Sequence, residues 1–208
     1  ERKILLVDDE IQMGFFRTGK FWALEHFGVQ PDIVVFGKAM TNGLNPISGV
    51  WAKEALISPA KFPPGSTHST FSSNPLGTAA TLATLLWIEQ QHYEKKVMES
   101  GAYFLRQIET LKHRHQTIGD VSGLGLALRI EVTKPDRFTP DKILADRIFE
   151  AGLAGGIPSS RGPMGLVLDI GGHYKNVFTL APALDITREE IDLGLELLDH
   201  LFTTCAEA

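Results

Sequence analysis

Two short runs of apolar residues, each followed by charged residues, limit the possible folds of this chain more than any other feature. The first run, residues 4–7, stops at the acids 8–10, and the second, within residues 32–36, stops at Gly37 and Lys38. Both runs are continuous rather than alternating, which is typical of strands buried on both faces of a sheet. They favour an α/β fold with a mostly parallel sheet that is covered on both sides.

The rest of the pattern predicts a second, smaller unit. The 208 residues are enough for one large domain or two small ones. Asn74 and Pro75 predict the start of a helix that runs to about Val97, and strands and helices mix after it. We therefore expect a sheet domain over residues 1–95 and a smaller α+β domain over residues 96–208.

Local signals predict the remaining elements. Thr187 and Glu190 form the pattern of a capping box in front of a C-terminal amphipathic helix. The proline-rich segment 58–73 is predicted to be a loop. Further helices are expected over 21–27, from 98 to about 111 and over 139–151, with strands over 47–52, 124–132, 166–169 and 177–181.

The composition excludes several classes of function. Twenty basic and 25 acidic residues give a net charge of −5, which offers no electrostatic basis for binding nucleic acid or an anionic membrane. The single cysteine, Cys205, excludes an internal disulfide and a cysteine-rich metal site, and the histidines lack the spacing of metal ligands. No metal is predicted. Without a visible signal peptide or spanning segment, we expect a cytoplasmic protein.

The N-terminus indicates a piece of a longer protein. The chain begins with Glu1 rather than Met and enters the first apolar run after only three residues. No leading element precedes that strand, so we expect further chain before it.

Five segments, in order, resemble the class III aminotransferases, which are pyridoxal-phosphate enzymes of the aspartate-aminotransferase fold type (fold type I). They are residues 9–12, 14–19, 31–38, 69–77 and 172–184. The resemblance extends over the whole chain, but the chain corresponds only to the C-terminal part of such an enzyme. It implies that residues 1–95 are the C-terminal portion of the large cofactor-binding domain and residues 96–208 the small C-terminal domain.

The resemblance implies that Lys38 and Asp9 are the catalytic pair. Pyridoxal phosphate is held covalently by an amine, which a partly buried lysine at the end of a strand can supply, and the same amine can move a proton. Asp9 matches the buried carboxylate that keeps the cofactor's ring nitrogen protonated. Gln12 matches a residue near the phenolic oxygen. Alternation along the strand should point Asp8 and Glu10 away from the face of Asp9.

The same resemblance implies a phosphate contact and a homodimer. Ser69 and Thr70 precede the helix that opens at Asn74, and hydroxyls and a helix N-terminus suit a phosphate. In the family, the threonine that matches Thr70 reaches the phosphate in the other subunit. Ser72 and Ser73 stand where the family usually has two glycines.

One departure from the family concerns the substrate. Amino-acid-specific members usually carry an arginine, which grips the α-carboxylate, at the position of Thr179. A hydroxyl cannot replace a bidentate guanidinium. Either the reacting carbon of the donor bears no carboxylate, as in an amine or an ω-amino acid, or another arginine serves. Arg161, within residues 155–165, is the candidate.

The sequence thus predicts a pyridoxal-phosphate aminotransferase that uses an amino donor and an oxo-acid. The family's stacking aromatic and main phosphate loop would precede residue 1, so activity requires the N-terminal half of the same enzyme. A racemase, aminomutase or decarboxylase on the same scaffold stays open, because the pair Asp9 and Lys38 serves all of them. A non-catalytic dimerisation fragment is the alternative from another class.

Overall fold

A computed structural model describes residues 4–66 and 69–207 of the chain. The chain folds into two compact units, Glu1–Lys95 and Lys96–Ala208. Both units combine a small sheet with helices, as expected for an α/β unit followed by an α+β unit. Within the described ranges, no helix is both long and apolar enough to cross a membrane.

The sheet of the first unit has three strands, β1 (Val7–Asp9), β2 (Ile33–Phe36) and β3 (Gly49–Ala52), in that order. Strand β1 runs parallel to β2, with Asp9 opposite Val35, and β3 runs antiparallel to β2. Because β1 and β2 are parallel, their carboxyl ends meet at the same edge of the sheet.

One face of this sheet packs against aromatic residues and the other lies open. Val34 is buried, and the rings of Phe15, Trp22 and Phe36 contact one another edge-on or tilted. On the opposite face, Val7 and Val50 are 54% and 66% exposed. The predicted burial on both faces is therefore not observed within the described residues.

The helices of the first unit follow the sequence signals at their starts better than at their ends. Helix α1 (Glu54–Ile57) follows β3, and two 3₁₀ turns span Ala23–Phe27 and Lys38–Thr41. In α2 (Pro75–Gln91), the Asn74 side chain accepts a hydrogen bond from Gly77 N at 2.7 Å, which confirms the predicted cap.

The predicted continuation of this helix to about Val97 is wrong. His92 adopts a left-handed conformation with φ of 52° and ends α2. A new helix, α3 (Tyr93–Arg114), begins at the next residue. The left-handed residue interrupts the helical backbone, although apolar residues continue at helical spacing.

The second unit has a four-stranded antiparallel sheet that is covered on one face by helices. Its strands β4 (Ile118–Leu124), β5 (Ala127–Val132), β6 (Asp169–Gly171) and β7 (Val177–Leu180) lie in the order β4-β5-β7-β6. Leu128, Ile130 and Phe178 are fully buried on the covered face. Helices α4 (Lys142–Ala154) and α5 (Arg188–Glu207) pack against each other, and α4 also contacts β5 and β6.

Three predictions for this unit need correction and one is confirmed. The predicted strand 124–132 is instead the end of β4, a turn and β5, because Gly125, with φ of 56°, reverses the chain. Helix α4 begins after the cap Asp141 rather than at residue 139, and the strand predicted over 166–169 lies at Asp169–Gly171. The capping box is present: Thr187 N donates to the Glu190 carboxylate at 2.8 Å, and Glu190 N donates to Thr187 Oγ1 at 3.2 Å.

Candidate active site

Asp9 and Lys38 lie at the same edge of the first sheet. Asp9 is the last residue of β1, and Lys38 begins the turn that follows β2 after Gly37. The parallel register, with Asp9 opposite Val35, places both residues beyond or at the carboxyl ends of adjacent strands. Functional groups in α/β sheets often gather at such an edge.

Lys38 opens onto a cleft of about 860 Å³ with an unusual set of polar groups. Within the part of the chain that the structure describes, none of the residues lining this cleft carries a carboxylate. Its polar side chains are one amine, several hydroxyls and one amide. They belong to Lys38, Thr41, Asn45, Ser48, Ser69 and Ser72. The sequence motifs do not include Thr41, Asn45 or Ser48, although all three follow Lys38 within the short span 38–48 and therefore cannot lie far from it.

Asn45, one of the residues that line the Lys38 cleft, has a buried acceptor without a partner in the described part of the chain, and this atom lies against Gly77 at the start of α2. Asn45 Oδ1 is inaccessible to solvent and makes no hydrogen bond with the described residues, whereas its backbone oxygen accepts from Thr41 Oγ1 at 2.7 Å. Leaving a buried acceptor unpaired costs about 1–3 kcal/mol. The amine of Lys38 and the hydroxyl donors of the cleft fit a ligand that carries both a carbonyl and a phosphate, as pyridoxal phosphate does. The unpaired Asn45 oxygen requires a donor and does not contribute to that fit.

The backbone of Lys38 has an uncommon conformation. Its φ of 45° lies in the left-handed region, which non-glycine residues seldom adopt. The side chain is exposed rather than partly buried as predicted, because the open sheet face beside it has no cover within the described residues.

Asp9 and Gln12 lie outside the Lys38 cleft. Asp9 Oδ1 accepts a hydrogen bond from Ile11 N at 3.2 Å, so the carboxylate caps the turn that follows β1. Gln12, in that turn, is exposed, and Asp9 is exposed as well, on the open face of the sheet. The structure thus brings Lys38 and Ser69 to one cleft and leaves Asp9 and Gln12 at the neighbouring strand end.

Asp8 and Glu10 point to the other face, as alternation predicted. Glu10 is 1% exposed, and its Oε1 accepts from Leu24 N at 3.0 Å. Burial, followed by the charge and hydrogen bond of Glu10, raises the pKa of Asp8 to about 6. Burial and the neighbouring carboxylate therefore favour the protonated form of Asp8 in mildly acidic solution.

This pair predicts a pH-dependent stability. Because the pKa of folded Asp8 is raised above its unfolded value, its protonated form stabilises the fold at low pH, and that contribution is lost as the pH rises towards about 6. We expect the free energy of unfolding of Asp8→Asn, relative to that of the native protein, to be about 1 kcal/mol higher at pH 7 than at pH 4. Urea unfolding at both pH values measures the gain. A constant difference between the two proteins would contradict the shifted pKa.

The loop with Ser69 and Thr70 precedes α2 and differs from the family at two positions. Ser69 lines the Lys38 cleft and its backbone oxygen accepts from Ser72 Oγ at 3.1 Å, whereas Thr70 is exposed and does not line the cleft. Ser73 has φ of 53°, a left-handed conformation that glycine adopts without strain. Thr67 and His68 lie outside the described residues.

The two substrate candidates lie in the second unit. Thr179 is half-buried in β7, directly opposite Arg129 of β5 and Asp169 of β6. Arg161 is exposed in the loop after α4, where its positive charge helps to lower the pKa of Glu190 after the hydrogen bonds from Thr187. Among the described residues, no group of three or more His, Cys, Asp or Glu could hold a metal ion.

Comparison with known proteins identifies the family. The sequence profile of the family described as aminotransferase class-III matches residues 1–202. The chain therefore belongs to the class III aminotransferases, as the motifs predicted, and its neighbours among solved structures are transaminases of the same fold.

Individual relatives divide between two activities. The chain is 34% identical to an alanine/serine racemase from Pyrococcus horikoshii, over 96% of the chain and 39% of the relative. It is also 34% identical to an acetylornithine aminotransferase from Caldanaerobacter subterraneus subsp. tengcongensis, over 98% of the chain and 46% of the relative.

A solved (S)-enantioselective omega-transaminase from Thermomicrobium roseum is 28% identical, with a TM-score of 0.82 over 97% of this chain and 44% of that one. The chain spans less than half the length of each of these relatives.

Proposed function

We propose that residues 1–208 are the C-terminal part of a pyridoxal-phosphate-dependent aminotransferase that moves an amino group from an amine or amino-acid donor to an oxo-acid. The observation that carries the proposal is the shared sheet edge: a lysine amine and a carboxylate end adjacent parallel strands, and the amine opens onto a hydroxyl-rich cleft. Membership of the class III family supports it. A cytoplasmic location stays a prediction.

Each candidate residue has a distinct task in this proposal. When bound, pyridoxal phosphate supplies a carbonyl that takes up the amino group and a ring that stabilises negative charge. Lys38 would hold it covalently and carry a proton to and from the reacting carbon of the substrate. Asp9 would keep the proton on the ring nitrogen, and Gln12 would donate to the phenolic oxygen. The hydroxyl of Ser69 would bind the phosphate in this cleft, and that of Thr70, which does not line the cleft, would bind the phosphate in the other subunit.

We also propose that this chain works together with the N-terminal half of the same enzyme, as a homodimer. Helix α2 supports this, because it has no charged residue before Glu89. It packs against the 3₁₀ turn Lys38–Thr41 and exposes a stripe of apolar side chains. A helix that is apolar all round is normally buried. The stripe consists of Leu76, Leu82, Leu86 and Trp87. It begins six residues after Thr70, the residue that the family resemblance directs to the other subunit.

A racemase is the second candidate, because one of the relatives at 34% identity is an alanine/serine racemase. The tasks given to Lys38 and Asp9 serve both reactions, so these residues do not discriminate. The two activities differ in their products. An aminotransferase leaves an oxo product and keeps the amino group for an acceptor, whereas a racemase returns the amino acid with inverted configuration.

A half-reaction therefore tests the proposal. We expect the full-length enzyme, loaded with the cofactor and mixed with donor but no acceptor, to release one oxo product per active site. Mass spectrometry of the products and the change in cofactor absorbance measure this stoichiometry, and the chiral purity of the remaining donor is followed in parallel. Loss of chiral purity without oxo product would identify a racemase, and the absence of any cofactor absorbance would favour a non-catalytic fragment.

A further inference from the structure

The proposed reaction needs a cation that binds a carboxylate, and the family resemblance directs attention to the position of Thr179. An oxo-acid acceptor carries a carboxylate next to its reacting carbon, whatever the donor is. Binding that carboxylate away from water requires charge-assisted hydrogen bonds, and a guanidinium provides two of them in the matching geometry. The hydroxyl of Thr179 offers one neutral donor at most.

Strand register places an arginine directly beside Thr179. Ser122 of β4 pairs with Arg129 of β5, which pairs with Thr179 of β7, which pairs with Asp169 of β6. Directly opposite residues of antiparallel strands project from the same face, with their Cβ atoms about 5 Å apart. The Arg129 side chain, which is longer than that spacing, can therefore reach the space above Thr179.

This row lies on the open face of the second sheet. Leu128 and Ile130, the neighbours of Arg129 along β5, are fully buried on the opposite face. Arg129 itself is exposed, and Thr179 is half-buried. The guanidinium is thus presented on the polar face of the sheet, on a strand whose other face is fixed by the core.

The charge of Arg129 is available to a ligand. It forms no ion pair with any residue in the ranges 4–66 and 69–207, and both of its cross-strand neighbours, Ser122 and Thr179, carry hydroxyls. The closest acids in the register are Asp169, two strands away, and Glu131, two residues along β5. The carboxylate of Glu131 is 3.4 Å from Asn176 Nδ2.

We propose that Arg129 binds the α-carboxylate of the oxo-acid acceptor, and of α-amino-acid donors, with the Thr179 hydroxyl as an additional donor. This inference rests on the proposed function and specifies its substrate class. It replaces Arg161, which lies in an exposed loop and whose charge is already balanced in part by Glu190. It also replaces the expectation that the reacting carbon of the donor bears no carboxylate.

Two donors of the same shape test the proposal in the full-length enzyme. Alanine and isopropylamine differ only in that a methyl group replaces the carboxylate. We expect Arg129→Gln to raise the KM for alanine about 30-fold, because a hydrogen-bonded charged partner is lost. The KM for isopropylamine should change less than about 3-fold, because this donor presents no charge to Arg129. Arg161→Ala, the matched control, should leave both values unchanged.

A double variant that moves the arginine to the adjacent strand distinguishes a specific role in carboxylate binding from a general loss of structure. In Arg129→Gln/Thr179→Arg, the guanidinium returns to the adjacent strand of the same row, so the affinity for alanine should recover at least in part. Calorimetric binding of pyruvate to the cofactor-free enzyme provides a readout that needs no turnover. It should weaken in Arg129→Gln and recover in the double variant.

The outcomes distinguish this inference from the proposed function. If no donor yields an oxo product, the proposed function is wrong, and pyruvate binding alone then decides the role of Arg129. If Arg129→Gln binds pyruvate as tightly as the native enzyme, or if its KM for alanine and isopropylamine change equally, Arg129 does not recognise a carboxylate.

Discussion

Replacing Lys38 with alanine is expected to lower the rate of amino transfer by about 10⁴-fold, the largest effect of any single substitution in this chain. The amine that would hold the cofactor and the base that would carry the proton are the same group, so both functions are lost together. Lys38→Arg should be nearly as inactive, because a guanidinium keeps the charge but neither attacks a carbonyl nor releases a proton near neutral pH. Single-turnover kinetics in the full-length enzyme measure both variants.

Chemical trapping identifies the attachment site independently of activity. Borohydride reduction of the loaded enzyme, followed by peptide mapping, should find the pyridoxyl group on Lys38. Lys61→Ala is a suitable control, because Lys61 is exposed and its ammonium donates to the backbone oxygen of Ala55. A pyridoxyl group on a lysine other than Lys38 would show that the assignment is wrong.

The first unit illustrates what a local pattern can predict. Apolar runs that end at Asp9 and at Lys38 predicted two strands, and parallel pairing brings their ends together. The pattern could not predict that the face with Val7 and Val50 lies open, because burial depends on which residues come to cover the sheet. The same limit explains why Lys38 is exposed here although the sequence favoured a partly buried lysine.

The second unit contains features that local sequence patterns did not predict. The segment 124–132 has the apolar character of a strand, but the turn at Gly125 divides it, and β4 was not predicted at all. The pairing of β5 with β7 brings Arg129 next to Thr179, and neither segment alone specifies that register. The sequence therefore showed that Thr179 stands in place of an arginine and indicated Arg161 as the substitute, whereas strand pairing places Arg129 directly opposite Thr179.

Replacing Asp9 with asparagine is expected to lower turnover by about 10²- to 10³-fold while retaining some cofactor. In the proposed function, Asp9 would pair with the protonated ring nitrogen in a site that the N-terminal half encloses. Removing one partner of an enclosed ion pair costs about 3–5 kcal/mol. Cofactor binding should suffer less, because Lys38 and the phosphate contacts are unchanged. Turnover and cofactor occupancy, measured by absorbance on the same samples, separate the two effects.

Asp8→Asn is the matched control for this experiment, since it changes the adjacent acid on the opposite face of the same strand. Asp8 belongs to the pair with Glu10, so its replacement should alter the pH dependence of stability and leave turnover within about 2-fold at pH 7. Equal losses in both variants would indicate damage to β1 rather than a role for one carboxylate. Near-normal turnover of Asp9→Asn would mean that another acid holds the ring proton, and that the shared edge of β1 and β2 does not define the active site.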